Sequence, residues 1–215
     1  MNAAWPVLVV ALLASMAVGP APELEPYRTL ARSSTAARVL AAAREGLCAS
    51  LEVCEPSTAV IAQWPGAPRP VYVTLTRGRA TRACVGSDAP MGTLAETVRQ
   101  LAARVADADR RRPPVRAGEL DSLRLVIAFA GEGEAVSDPY TVDPAREGLK
   151  IETERGAVAF LPGEARTVRW ALAEARRIGV LTGSLSEARC TRFPVVVIQG
   201  PAALPRSAHS EEPHP

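Results

Sequence analysis

Residues 71–86 read VYVTLTRGRATRACVG. Val71, Val73 and Leu75 alternate with Tyr72, Thr74 and Thr76, the period of a half-buried strand. Arg77 and Gly78 then make a turn, the glycine supplying the positive φ that tight hairpin turns use. On the returning strand Arg82 and Cys84 lie two positions apart, so the pleat puts both side chains on one face.

Upstream of this hairpin, Ser33 and Ser34 can cap a helix that begins at Thr35 and carries the stripe Ala36, Leu40, Ala43, Leu47, Leu51 until Pro56 stops it. Downstream, Thr93 and Glu96 form a capping box for a helix with the stripe Met91, Leu94, Val98, Leu101, Val105. That helix runs into Arg110, Arg111 and Arg112 before Pro113 and Pro114. The three arginines read either as solvated charge complementing the helix dipole or as an anion site. An apolar strand follows at 123–130, then a polar segment at 131–147 that reads as a long surface loop. A second hairpin spans 149–153 and 157–161, turning at Arg155 and Gly156. After it come an amphipathic helix at 165–178, stopped by Gly179, and a last strand at 193–199.

The two halves, 71–130 and 149–199, thus share one plan: strand, Arg-Gly turn, strand, helix, returning strand. The expectation is an α+β fold of internally duplicated strand-hairpin/helix/strand units around a shared core. The boundaries expected are a signal peptide at 1–19, a Pro-rich lead at 20–32, the folded domain at 33–199 and a disordered tail at 200–215.

At 215 residues, 47% hydrophobic and a formal charge of +2, the chain suits one compact domain and is not intrinsically disordered. Aromatics are 4%. Together with the near-neutral charge, this argues against a protein that binds nucleic acid by stacking bases and neutralising phosphates.

Residues 3–18 form an apolar run with the small residues Ser15 and Ala17 at its end, followed by Gly19 and Pro20. This reads as an export signal cleaved near Ala17 or Gly19, placing the protein in the periplasm or outside the cell. No basic residue precedes the run, and the alternatives are a membrane anchor or an N-terminal core helix.

In an oxidising compartment Cys48, Cys54, Cys84 and Cys190 allow three pairings. In a continuous helix Cys48 and Cys54 would be about 9 Å apart, too far to bridge, so a bond between them requires the helix to end near Ser50. No CxxC occurs, and the histidines are His209 and His214 in the tail. Neither a metal nor a cofactor is expected.

The hairpin and its surroundings also carry a resemblance. PVYVTLTRGRATRACVGS resembles the hallmark of the AMMECR family, named for the Alport syndrome, midface hypoplasia and elliptocytosis chromosomal region. In that pattern a strand ending in TL is followed by a glycine-containing turn and LRGCIG. Asp109, Arg111, Pro113 and Pro114 resemble the family's DPRFPP, residues 146–149 its R-D/H-G-L, and Phe160, Leu161, Pro162 its LLP. The resemblance spans about 33–199. In prokaryotes the same domain is protein A of the AmmeMemoRadiSam system, whose name alone implies a Memo-like or radical-enzyme partner.

The resemblance implies a duplicated α+β fold and a site region lined by Arg82, Cys84 and Gly86, with no defined reaction. Ala83 stands at a family glycine, Arg112 at its phenylalanine, Gly163 at the glutamine after LLP, and an export signal is added. These departures mark a divergent branch.

Arg82, Cys84, Gly86 and Arg111 are the candidate ligand-binding residues, for a small anion or a protein partner. The alternative is an enzyme with Cys84 as nucleophile or redox centre. Arg82 beside it would lower its pKa, and with no histidine in the folded region the base would be Asp88 or Asp109. Against both stands Cys84 as a small buried hydrophobe, or as the disulfide partner of Cys190.

Overall fold

A computed structural model of the chain describes residues 21–54, 62–109 and 111–203. The expected signal peptide, Pro56, Arg110 and the tail from residue 204 on lie outside the described residues. None of the described helices is long and apolar enough to cross a membrane.

The hairpin forms as β1 (Val71–Arg77) and β2 (Ala80–Ser87), with Gly78 at φ 58° in the turn. α3 (Leu94–Val105) follows, opened by the Thr93–Glu96 capping box. β3 (Arg124–Ala130) then returns beside β1, giving the order β2-β1-β3. The second half repeats this: β5 (Gly148–Thr153) and β6 (Gly156–Phe160) form a hairpin, α4 (Val168–Arg177) follows, and β7 (Arg189–Phe193) returns beside β5. Thr167 caps α4 by accepting from the Trp170 amide at 3.1 Å, and Gly179 ends it at φ 79°.

Each sheet acquires its fourth strand from the other repeat. After β3 the chain crosses to place β4 (Glu134–Val136) against β7; after β7 it crosses to place β8 (Val195–Pro201) against β3. The crossings touch, the Gly131 amide donating to the Pro194 carbonyl at 2.9 Å. The segment expected as one strand at 193–199 is therefore two strands in two sheets. Pro194, which has no N–H for a ladder, marks the break. The segment at 131–147 is likewise more than a loop, since it contains β4 and a short 3-10 turn at Pro139–Thr141.

Sheet β2-β1-β3-β8 packs one face on α2 (Thr35–Ser50) and α3, burying Val73, Leu75, Ile127, Phe129, Leu47, Val98 and Leu101. The Pro-rich lead joins this core. Pro22–Leu24 is a 3-10 turn and Glu25–Arg32 is α1, with Leu24 and Tyr27 fully buried and the Tyr27 ring 4.8 Å from Phe129. Pro22 and Pro26 stand in first turns, where the missing N–H has no partner to lose. The second sheet and α4 enclose their own core around Ile151, Phe160 and Leu172. The two cores meet in a small cluster of Ala128, Ala130, Leu161 and Phe193 at the seam between the repeats.

Cys48 and Cys54 form a disulfide with Cα atoms 5.5 Å apart, the helix having ended at Ser50. Cys84 and Cys190 are free and lie in different sheets, so the pairing considered between them does not occur.

Candidate functional site

A cavity of about 520 Å³ opens at the seam, between β2 of the first repeat and the β5–β6 hairpin of the second. Cys84, Gly86 and Arg111 line it, together with Asp109, Lys150 and Arg155. The structure thus brings together three of the four residues singled out in sequence.

Arg82 is elsewhere. Leu75 pairs with Ala83 and Thr76 with Thr81, so Arg82 is the extra residue of a β-bulge and the strict alternation with Cys84 is broken. Its guanidinium donates to both oxygens of Glu119 and to the Pro113 and Pro114 carbonyls, each at 2.9 Å. Those hydrogen bonds, with help from the Arg116 amide and Arg77, pull the Glu119 carboxyl down to about 2. Arg82 therefore fastens the 113–122 segment to the hairpin and does not line the cavity.

Arg111 is neither solvated nor at the end of α3, which stops at Val105; its side chain is 12% exposed. Nε donates to Asp109 Oδ1 at 2.9 Å, one terminal nitrogen to Asp109 Oδ2 at 3.1 Å, and the other to Glu164 Oε1 at 3.2 Å. Each carboxylate also accepts a backbone N–H from an edge strand or its end. Asp109 Oδ2 accepts from Cys84 at 2.9 Å, and Glu164 Oε2 from Leu161, just past β6, at 3.1 Å. Asp109–Arg111–Glu164 is thus a clasp between the two repeats.

Burial works against the charge on both acids. At Asp109 the hydrogen bonds and charge of Arg111 overcome it and hold the carboxyl below its usual value. At Glu164 burial wins and the carboxyl is raised. For Arg111 burial is outweighed by the two carboxylates, which raise it. A guanidinium so occupied is not a free anion site.

Cys84 is not the activated thiol that an arginine neighbour would make. Burial first, and then the negative charge of Glu164, push it up to about 12, while the Thr74 hydroxyl, which donates to Sγ at 3.1 Å, and Arg111 only partly offset them. At neutral pH it is a thiol. Of the two bases considered, Asp109 is committed to Arg111 and the Cys84 amide, and Asp88 pairs with Lys150 Nζ at 3.2 Å. Arg155, in the turn between β5 and β6, is exposed and has no ion-pair partner among the described residues.

Sequence reasoning passed over Glu164, Lys150 and Arg155. Glu164 follows the Leu-Pro-Gly of the second hairpin's exit, and that position was its one available signal.

The AMMECR1 family profile matches residues 29–197. A protein of Methanosarcina barkeri is 32% identical over 81 residues, 38% of this chain and 40% of its own length. One of Thermococcus gammatolerans is 35% identical over 92 residues, 38% of this chain and 45% of its own. The matched part therefore spans less than half the length of these relatives. An uncharacterised protein of Pyrococcus horikoshii has the same fold in its crystal structure, with a TM-score of 0.56 and 23% identity over 75% of this chain and 89% of its own. With the profile running from α1 into β8 and the duplicated sheets in place, the chain belongs to the AMMECR1 family.

Proposed function

We propose that this protein is a binding domain whose ligand, a small anion or a segment of a protein partner, enters the seam cavity beside Cys84, Gly86 and Arg111. The observation that carries this reading is the exposed Arg155, without an ion-pair partner among the described residues, beside a cavity whose other cations are matched, Arg111 by Asp109 and Glu164, and Lys150 by Asp88. An entering carboxylate or phosphate would meet one unspent positive charge there. Calorimetric titration of the full chain with inorganic phosphate and with succinate tests it. Binding that weakens about tenfold in Arg155→Ala is expected. Absence of binding by either anion, or indifference to the substitution, would sink it.

The second reading keeps Cys84 as nucleophile or redox centre, favoured by its place on the cavity wall. Its raised pKa speaks against it. Alkylation of Cys84 by iodoacetamide as fast as that of a free cysteine at neutral pH would revive it.

We also propose export to the periplasm or beyond, supported by the apolar run at 3–18 and by the Cys48–Cys54 disulfide, a bond that reducing compartments disfavour. Mass spectrometry of the protein recovered from its producing cells decides it, an intact residue 1 counting against. The archaeal relatives support grouping the chain with the prokaryotic, AmmeMemoRadiSam-type members. A pull-down with a Memo-like protein is the check.

A further inference from the structure

Both walls of the cavity are strand edges. In sheet β2-β1-β3-β8 the outer strand is β2; in sheet β4-β7-β5-β6 it is β6. The Cys84 amide donates to Asp109, away from β1, so the Thr74–Cys84 pair is a non-hydrogen-bonded one. Alternation then turns the N–H and C=O of Gly86 outward as well. On the opposite wall the two-residue turn makes Thr153–Gly156 the hydrogen-bonded closing pair, so Ala157 and Ala159 present their N–H and C=O outward. Gly86, Ala157 and Ala159 line the cavity, and their backbone groups have no hydrogen-bond partner among the described residues.

At one end the edges are already satisfied, though not by a strand. Asp109 accepts the Cys84 N–H, Glu164 accepts the Leu161 N–H, and Arg111 joins the two carboxylates. These side chains occupy the place a strand between the edges would hold. Beyond the clasp the same two edges continue unpaired into the cavity, and Arg155 stands at the turn where β6 begins.

The geometry points to an extended peptide as the ligand of this cavity: a segment of about three residues that pairs with the free edge at Ala157 and Ala159 and carries a carboxylate for Arg155. Main-chain hydrogen bonds supply the affinity and Arg155 the orientation. The small side chains of Ala157 and Ala159 leave that edge open to an incoming backbone, while the Tyr72 ring fills the place a Cβ at Gly86 would take. This inference rests on reading the cavity as a ligand site and narrows the ligand to a class.

The test uses the full chain and a library of soluble pentapeptides of varied sequence with free C-terminal carboxylates, retained members being identified by mass spectrometry. Retained peptides, resynthesised with a single N-methyl group at each position in turn, should lose about tenfold in affinity at alternate positions and little at those between. Their binding should slow amide exchange at Ala157 and Ala159. Ala159→Pro deletes one edge N–H that β5 does not use, and should abolish peptide binding while phosphate or succinate still binds. If that variant does not fold, the N-methyl pattern and the exchange still decide. Retention of no peptide, or loss without a two-residue period, overturns the inference. If succinate or phosphate binds in an Arg155-dependent way all the same, the broader reading of the cavity survives. If nothing binds, both fall.

Discussion

Arg111 serves two carboxylates with one guanidinium, and the inequality between them has measurable consequences. All three side chains are nearly buried, at 12%, 5% and 6% exposure. Removing the cation strands two acids in the interior, so Arg111→Met should lower stability by about 3 kcal/mol, read by urea denaturation. A loss within experimental error would show that water reaches the clasp.

The pH dependence differs in sign for the two acids. Asp109 is held below its usual 3.8, so its contribution is present above that value and lost as pH falls through the folded pKa. Glu164 is raised above its usual 4.5, so its contribution is complete below that value and lost as pH rises through the folded pKa. The Glu164 contribution should therefore be lost as pH rises above its usual value through its folded one, and Glu164→Gln should flatten that limb while Asp109→Asn flattens the acid one. A Glu164→Gln profile parallel to wild type contradicts the assignment.

None of this residue-level chemistry was legible in sequence. Asp109 and Arg111 are neighbours there, but Glu164 lies in the other repeat, and the bulge that turns Arg82 away from Cys84 leaves no mark on the alternation of residue types.

At the scale of elements, both hairpins and the helices α2, α3 and α4 could be read because their signals are local. Period-2 alternation, the Thr93–Glu96 box and the positive-φ glycines each act within a few residues. What escaped depends on partners far along the chain. The 3-10 turn and α1 each open with a proline, Pro22 and Pro26, that looks like punctuation until Leu24 and Tyr27 are seen buried. β4 is three residues long and exists because β7 lies beside it.

The disulfide sits between these cases, its pairing allowed but not selected by spacing. It closes a short loop at the end of α2, and in the chain-entropy account its loss costs about 2 kcal/mol. Urea denaturation with and without reductant should show that drop, and Cys48→Ser should show it without reductant. Nearby, a Cβ at Gly46 would overlap the Arg99 carbonyl where α2 crosses α3, so Gly46→Ala should part the helices and lower stability by about 1–3 kcal/mol in the same assay.

The duplication was visible as a repeated plan, but the exchange of fourth strands was not, and it governs how the molecule behaves as a whole. A repeat that kept its own four strands could unfold alone. Here β8, from the second repeat, covers the β3 edge and buries Val196 and Ile198 in the first core, while β4, from the first, pairs with β7 of the second. Neither sheet is complete without the other half of the chain. The clasp and the Tyr72–Phe193 stack, with centroids 6.1 Å apart, add contacts across the same seam. The chain should therefore unfold in one cooperative step.

Tryptophan places a reporter in each half. Trp64 donates its indole N–H to the Gly92 carbonyl on the first core, and Trp170 lies edge-on to Phe160 over the second. In a Trp5→Phe background, which leaves one reporter in each variant, fluorescence of Trp64→Phe and of Trp170→Phe should give urea transitions with the same m value, and midpoints separated only by whatever each substitution itself costs in a far-ultraviolet dichroism control. A chain ended at residue 193, which lacks β8, should show no cooperative transition by either probe. Two separate transitions in the full chain, or a folded second half in the shortened one, would mean that the exchanged strands dress two independent domains.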